Sequence, residues 1–221
     1  MFRKITKKYN SLLRKFFFLS KIEGDSFNYE LLDSAVKRLN HPIGTSFEIG
    51  VRRGLGSKII IDAYRKYHPQ IKNLVHIGLD PYGDLPYNFS ETEQNIMNFG
   101  YTDLMKRELL INFSKRYSEF YFVNLDTHEF FGRFADGYPV YQNKKKIINK
   151  FEIVHFDGLH DLKNITLEVN YFLGKLSDHT IFIFDDVDTF DMKPIDNILY
   201  KNGFEDFESS GRKKSFEYKV K

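Results

Sequence analysis

The chain has 221 residues, enough for one substantial core and short for two. A hydrophobic fraction of 42% excludes a disordered chain, and a formal net charge of +3 is too small to argue for a nucleic-acid partner. With no cysteine there is neither a disulfide framework nor a thiolate zinc site, which favours the cytoplasm.

Residues 1–22 are the most basic stretch, with Arg3, Lys4, Lys7, Lys8, Arg14, Lys15 and Lys21 around the apolar run Phe16–Leu19. That run is too short for a signal peptide or a bilayer span. It is read as part of a basic, helical extension, residues 1–44, that packs on the domain. Peripheral contact with an anionic membrane surface is the competing reading. Residues 45–221 form the domain itself.

From residue 45 strands alternate with helices. Thr45–Ile49 is a short apolar strand, Ser57–Tyr67 a helix, Leu74–Leu79 a second strand. Glu91–Tyr117 reads as helical with a break at Gly100, and Glu119–Leu125 as a third strand rich in aromatics. Gly132 to Lys150 reads as an insertion or mobile loop. Phe151–Phe156 is a fourth strand. His160–Leu176 is an amphipathic helix with Leu162, Ile165, Val169, Phe172 and Leu173 at helical spacing. Thr180–Phe184 is a fifth strand, apolar enough to be buried on both faces. Phe204–Glu208 and Ser215–Val220 are strands flanking the turn Ser-Ser-Gly-Arg-Lys-Lys. The expected fold is therefore α/β: a Rossmann-like, doubly wound, mostly parallel seven-stranded sheet with a C-terminal antiparallel hairpin.

The acids carry the functional argument. Strands two to five each run into an aspartate: Asp80, Asp126, Asp157 and Asp185. Strand one carries Glu48 two residues before Gly50. Ligands of open α/β sheets bind outside that edge. One such Asp could merely cap the next helix. The whole set, with the doublet Asp185–Asp186, is poorly explained that way. In the loop Glu48-Ile-Gly50-Val-Arg-Arg-Gly54-Leu-Gly56-Ser57, Arg52 stands where a dinucleotide fingerprint needs its second glycine. The pattern suits a cofactor without phosphate, adenosine with an amino-acid tail, and Asp80 is placed to accept from ribose hydroxyls. In strand order 3-2-1-4-5, strands four and five lie about 4.8 Å apart. The carboxylates of Asp157, Asp185 and Asp186 could then converge on a hard divalent cation such as magnesium, calcium or manganese. His160, read as opening the next helix, would be neutral and basic.

The blocks FEIGVRRGLGS, HIGLDPYGD, VHFDGLH and IFIFDDV, spanning roughly residues 45–190, resemble the S-adenosylmethionine (SAM)-dependent methyltransferases related to macrocin-type sugar O-methyltransferases. The resemblance implies that Asp157, Asp185 and Asp186 hold Mg2+ and that His160 is the base. It puts Gly50, Gly54 and Ser57 on the SAM loop, supported by Glu48, and Asp80 on the ribose. Family loops often read G-G-S; here Leu55 separates Gly54 from Gly56, so either glycine is a candidate for the methionine carboxylate. Asp126, Asn124 and Thr127 are alternatives at the adenine amine. The expected function is O-methylation of a hydroxylated small molecule or sugar, with oligomerisation left open. Two other functions compete: a nicotinamide-dependent oxidoreductase or sugar-nucleotide enzyme on the same fold, and a non-catalytic binding module.

Overall fold

The computed structural model describes residues 21–24, 26–83 and 101–220. Phe16–Leu19 and the start of the helix expected at Glu91 lie outside the described residues.

A seven-stranded sheet runs β3-β2-β1-β6-β7-β9-β8. Its parallel part comprises β1 (Thr45–Ile49), β2 (Val75–Leu79), β3 (Phe120–Val123), β6 (Phe151–Phe156) and β7 (Leu176–Phe184). This is the 3-2-1-4-5 order expected for the five alternating strands. The final hairpin, β8 (Phe204–Ser210) and β9 (Lys213–Lys219), adds two antiparallel strands through β9 on β7. Every residue of β1, β2 and β6 is buried, because helices cover both faces.

Strand alternation divides the core in two. Val154, Phe156, Phe182 and Phe184 face α5 (Leu162–Leu173) and α6 (Lys193–Lys201). Ile153, Ile181 and Ile183 face α1 (Glu30–Arg38), α2 (Leu55–Tyr67) and α3 (Asp103–Ser114). In this chain without tryptophan, phenylalanines fill the first half. The ring of Phe172 lies 5.0 Å from Phe47, 5.4 Å from Phe151 and 5.8 Å from Phe156, all nearly edge-on. On the other side α1, from the N-terminal extension, buries Leu31, Leu32, Ala35 and Val36 completely.

Several elements depart from the sequence reading. The region from Gly132 to Lys150 is not a plain loop. It holds a separate antiparallel pair, β4 (Tyr138–Tyr141) and β5 (Lys145–Ile148), with Val140 and Ile148 buried against the core and the lysines outside. A short helix, α4 (Thr127–Arg133), starts directly after β3, where Asp126 accepts from the Glu129 N–H at 2.8 Å as its N-cap. The helix expected from His160 begins only at Leu162, capped by Asp161. It ends at Leu173, and Leu176 already belongs to β7. Among the described residues no helix is long and apolar enough to cross a membrane.

Candidate active site

The chain reverses direction across the sheet between β1 and β6, and the loops beyond these strands build the site. Gly50 follows β1 with φ +81°, and a Cβ there would lie 1.8 Å from the carbonyl oxygen of Asp157. Only glycine lets the two strand ends approach so closely. Arg52 also takes the left-handed region, at φ +44°, and its N–H donates to Asp80 Oδ2 at 2.8 Å. The backbone thus makes a glycine-like turn at the position where a dinucleotide loop would carry glycine. Gly54, at φ +85°, is the N-cap of α2.

Behind this loop lies a buried polar core. Glu48 is 1% exposed; its Oε1 lies 2.9 Å from His155 Nδ1, and its other oxygen accepts from the Ser57 hydroxyl. Ser57 Oγ is in turn 2.9 Å from His76 Nε2. Burial opposes the charge on Glu48, but the hydrogen bond from His155 and the nearby His76, 3.8 Å away, outweigh it and hold the carboxyl down at about 2. Gly56 is required here, because a Cβ would sit 1.9 Å from Glu48 Oε1. Ser57 therefore does not face a ligand as expected. It stands one layer behind the loop and fixes Glu48.

Two adjoining cavities open at the carboxyl edge and share Gly50, Tyr101 and Asp157. One, of about 180 Å³, is mainly apolar and is lined by Leu79, Asp80, Leu125, Asp126, Thr127 and Leu159. Burial pushes the Asp80 carboxyl up to about 6. Asn124 is engaged elsewhere, donating to the Asp80 carbonyl at 3.0 Å. The other cavity, of about 250 Å³, is polar and is lined by Glu48, Arg52, Asp157, His160, Asp186 and Arg212, with Ser26 and Tyr29 from the N-terminal extension closing one wall.

His160 is 5% exposed, with Nε2 3.4 Å from Asp186 Oδ2 and 4.0 Å from Asp157 Oδ1. Burial pushes its imidazole down to about 4, against the charge of Asp185. The neutral state expected for His160 thus comes from desolvation, since Asp161 rather than His160 caps the helix. Burial, followed by the charge of Asp185, raises Asp157 well above the ordinary carboxylate range. The same two causes bring Asp186 to about 6. Asp186 also has φ +49°, a strained conformation for an acid directly after a strand.

The sequence reading gathered Asp157, Asp185 and Asp186 around one cation; in the structure Asp185 and Asp186 each have a protein cation as partner. Asp185 is absent from the cavity walls; its carboxylate pairs with the fully buried ammonium of Lys213 and accepts from Ser26 Oγ at 2.5 Å. Burial opposes its charge, but Lys213 prevails and holds the carboxyl at about 2. Asp186 pairs with Arg212 at 3.0 Å. The three aspartates do not fit a joint metal shell in this arrangement. Among the described residues the group that offers three ligand atoms within 4.8 Å of one another is Glu48, His155 and Asp157. Lys213 and Arg212 escaped the sequence reading because they fall in what reads as a solvated turn.

No family model matches the chain, and no curated protein matches it in sequence. Solved structures do. The O-methyltransferase NovP aligns with a TM-score of 0.58 at 15% identity, over 87% of this chain and 79% of that one. The calicheamicin methyltransferase CalS11 aligns with a TM-score of 0.54 at 16% identity, over 85% of this chain and 76% of that one. A second CalS11 structure, described as a TDP-rhamnose 3'-O-methyltransferase, aligns at 18% identity with a TM-score of 0.50, over 85% and 75% of the two chains. At these identities the likeness shows the fold: the chain has the Rossmann-like fold of these methyltransferases, completed by the antiparallel β9–β8 pair.

Proposed function

We propose that the chain is a SAM-dependent O-methyltransferase acting on a hydroxylated small molecule or sugar. The observation that carries this reading is the pair of joined cavities at the switch point, one apolar and one polar, with an imidazole in the polar one. The residues fit a phosphate-free adenosine cofactor. Asp80, at the end of β2, lines the apolar cavity and would accept from ribose hydroxyls, while Asp126 and Thr127 flank the adenine end. Gly50, Gly54 and Gly56 would carry the amino-acid tail on the far side of the shared wall, beside Glu48. When bound, SAM supplies an electrophilic methyl group.

His160 takes the proton from the acceptor hydroxyl. It is neutral, buried and on the polar wall, with Asp157 and Asp186 within 4.0 Å, and the charge of Asp185 favours the imidazolium once it forms. Arg52 and Arg212 add positive charge to the same wall, and the tyrosines at its rim limit access of water. The sugar-acceptor reading takes its support from the neighbour described as acting on TDP-rhamnose. A metal-assisted form of the same reaction has one observation in its favour, the Glu48–His155–Asp157 group.

Calorimetric titration with SAM and with NAD tests the cofactor. SAM should bind and NAD should not; the reverse result sinks the proposal. With labelled SAM and a panel of nucleotide sugars, His160→Ala should lower turnover roughly 100- to 10,000-fold while leaving SAM affinity intact.

A further inference from the structure

The ladder between β7 and β9 runs antiparallel, with Phe182 opposite Phe216, Ile183 opposite Ser215 and Phe184 opposite Lys214. Carried past the end of β7, that register sets Asp185 opposite Lys213 and Asp186 opposite Arg212. The backbone then slips by one residue, the Val187 N–H donating to the Arg212 carbonyl at 3.0 Å where an unbroken register would offer Gly211, but the side chains still meet in these pairs. A doublet of acids is thus met, residue for residue, by a doublet of bases.

The two cations differ in kind. Arg212 is a third exposed and also bonds Asp188 at 2.8 Å, so it is a surface partner. Lys213 is fully buried. Two of the three N–H donors of its ammonium have acceptors, the Asp185 carboxylate and Ser26 Oγ at 3.1 Å, and the charge lies over the Tyr29 ring, 5.2 Å from its centroid. Such a group is not a mobile counter-ion. Removing it would leave Asp185 as an uncompensated buried charge.

We propose that Lys213 is the resident cation of the acid cluster, taking the place beside Asp185 that a divalent ion would otherwise fill, so that the polar cavity is assembled without a metal. This pairing is independent of methyl transfer, and metal binding tests it. Calorimetry of the full chain with MgCl2 and MnCl2 should show no saturable binding, and the melting temperature should be the same in EDTA as in millimolar Mg2+. Lys213→Met should lower the melting temperature and create a response to Mn2+, because Asp185 then lacks its counter-charge. The single variant could fail to fold, so the neutral pair Asp185→Asn/Lys213→Met is measured beside it. That pair should melt above the single variant and ignore Mn2+. Saturable Mn2+ binding by the wild-type chain that disappears in Asp185→Asn would overturn the proposal. So would a double variant as unstable as Lys213→Met, since the lysine would then matter for packing and not for charge.

Discussion

Asp80 serves the site with one carboxylate in two directions. It accepts the backbone N–H groups of Arg52, at 2.8 Å, and Tyr82, at 3.3 Å, and so holds the loop after β1 against the end of β2. It also lines the apolar cavity. Asp80→Ala should cost about 1.5–3 kcal/mol of SAM binding, the range for a hydrogen bond to a charged group. Because burial puts its carboxyl at about 6, SAM affinity should fall as the pH drops below that value, and the variant should lose this dependence. The unliganded protein responds with the opposite sign. Its folded state holds this proton more tightly than the unfolded chain, so this residue's contribution to stability grows from about pH 6 down to the ordinary 3.8. Calorimetry between pH 5 and 8 reads the binding effect (about three units around the titration); unchanged affinity in Asp80→Ala would remove the residue from the cofactor site. Asp80 was legible because strand ends can be counted. Lys213 was not: Arg-Lys-Lys after Ser-Ser-Gly has the composition of a solvated turn, and only the register of β9 on β7 turns one lysine inward.

Among the elements, periodicity served where one rule acted alone. β1 and β6 run as read, since their Phe and Ile residues lie in short runs too brief for a helix and both faces are covered. It failed where two rules competed. The start of β7 carries Ser177, Asp178 and His179, polar enough to read as a turn, yet Ser177 and His179 are buried by hydrogen bonds to neighbours. Asp126 read as a ligand group and also acts as a helix cap, which hid α4. Pro194 sits in the first turn of α6, where a proline starts a helix as readily as it interrupts one. The antiparallel end of this sheet supplies a stability test. Glu217 on β9 joins Arg38 at 3.0 Å, Lys219 at 2.8 Å and His179 at 2.7 Å. Burial opposes its charge, but these partners hold its carboxyl at about 2. A depressed carboxyl stabilises the fold above the ordinary value of 4.5, and that stability is lost as the pH falls from 4.5 towards about 2. Glu217→Gln should melt lower than wild type at pH 7, with the gap closing through this window. A constant gap would assign the loss to packing.

At the scale of the molecule, alternation of strand and helix dictated the sheet order, and the order dictated where the site lies. The N-terminal extension is more than an addition to that plan. Helix α1 packs on α2, its Arg38 reaches Glu217, and the segment before it places Ser26 and Tyr29 on the polar cavity. Leu32, fully buried in this layer, should report on it. Leu32→Ala should cost about 2–5 kcal/mol, as in other cores. The test is chemical denaturation followed by circular dichroism; an unchanged midpoint would mean that α1 is only loosely attached.

The long reach of Lys213 also has a consequence in time. Its partner Ser26 lies 187 residues earlier in the chain. During synthesis Asp157 and Asp185 are made well before the lysine that neutralises one of them, and β7 must wait for β9 as its outer neighbour. A nascent chain halted between these strands therefore carries an uncompensated acid pair and an open sheet edge, the kind of intermediate that aggregates or recruits chaperones. Neutralisation of Asp185 waits for β9, and the strand that brings the cation also covers the open side of β7.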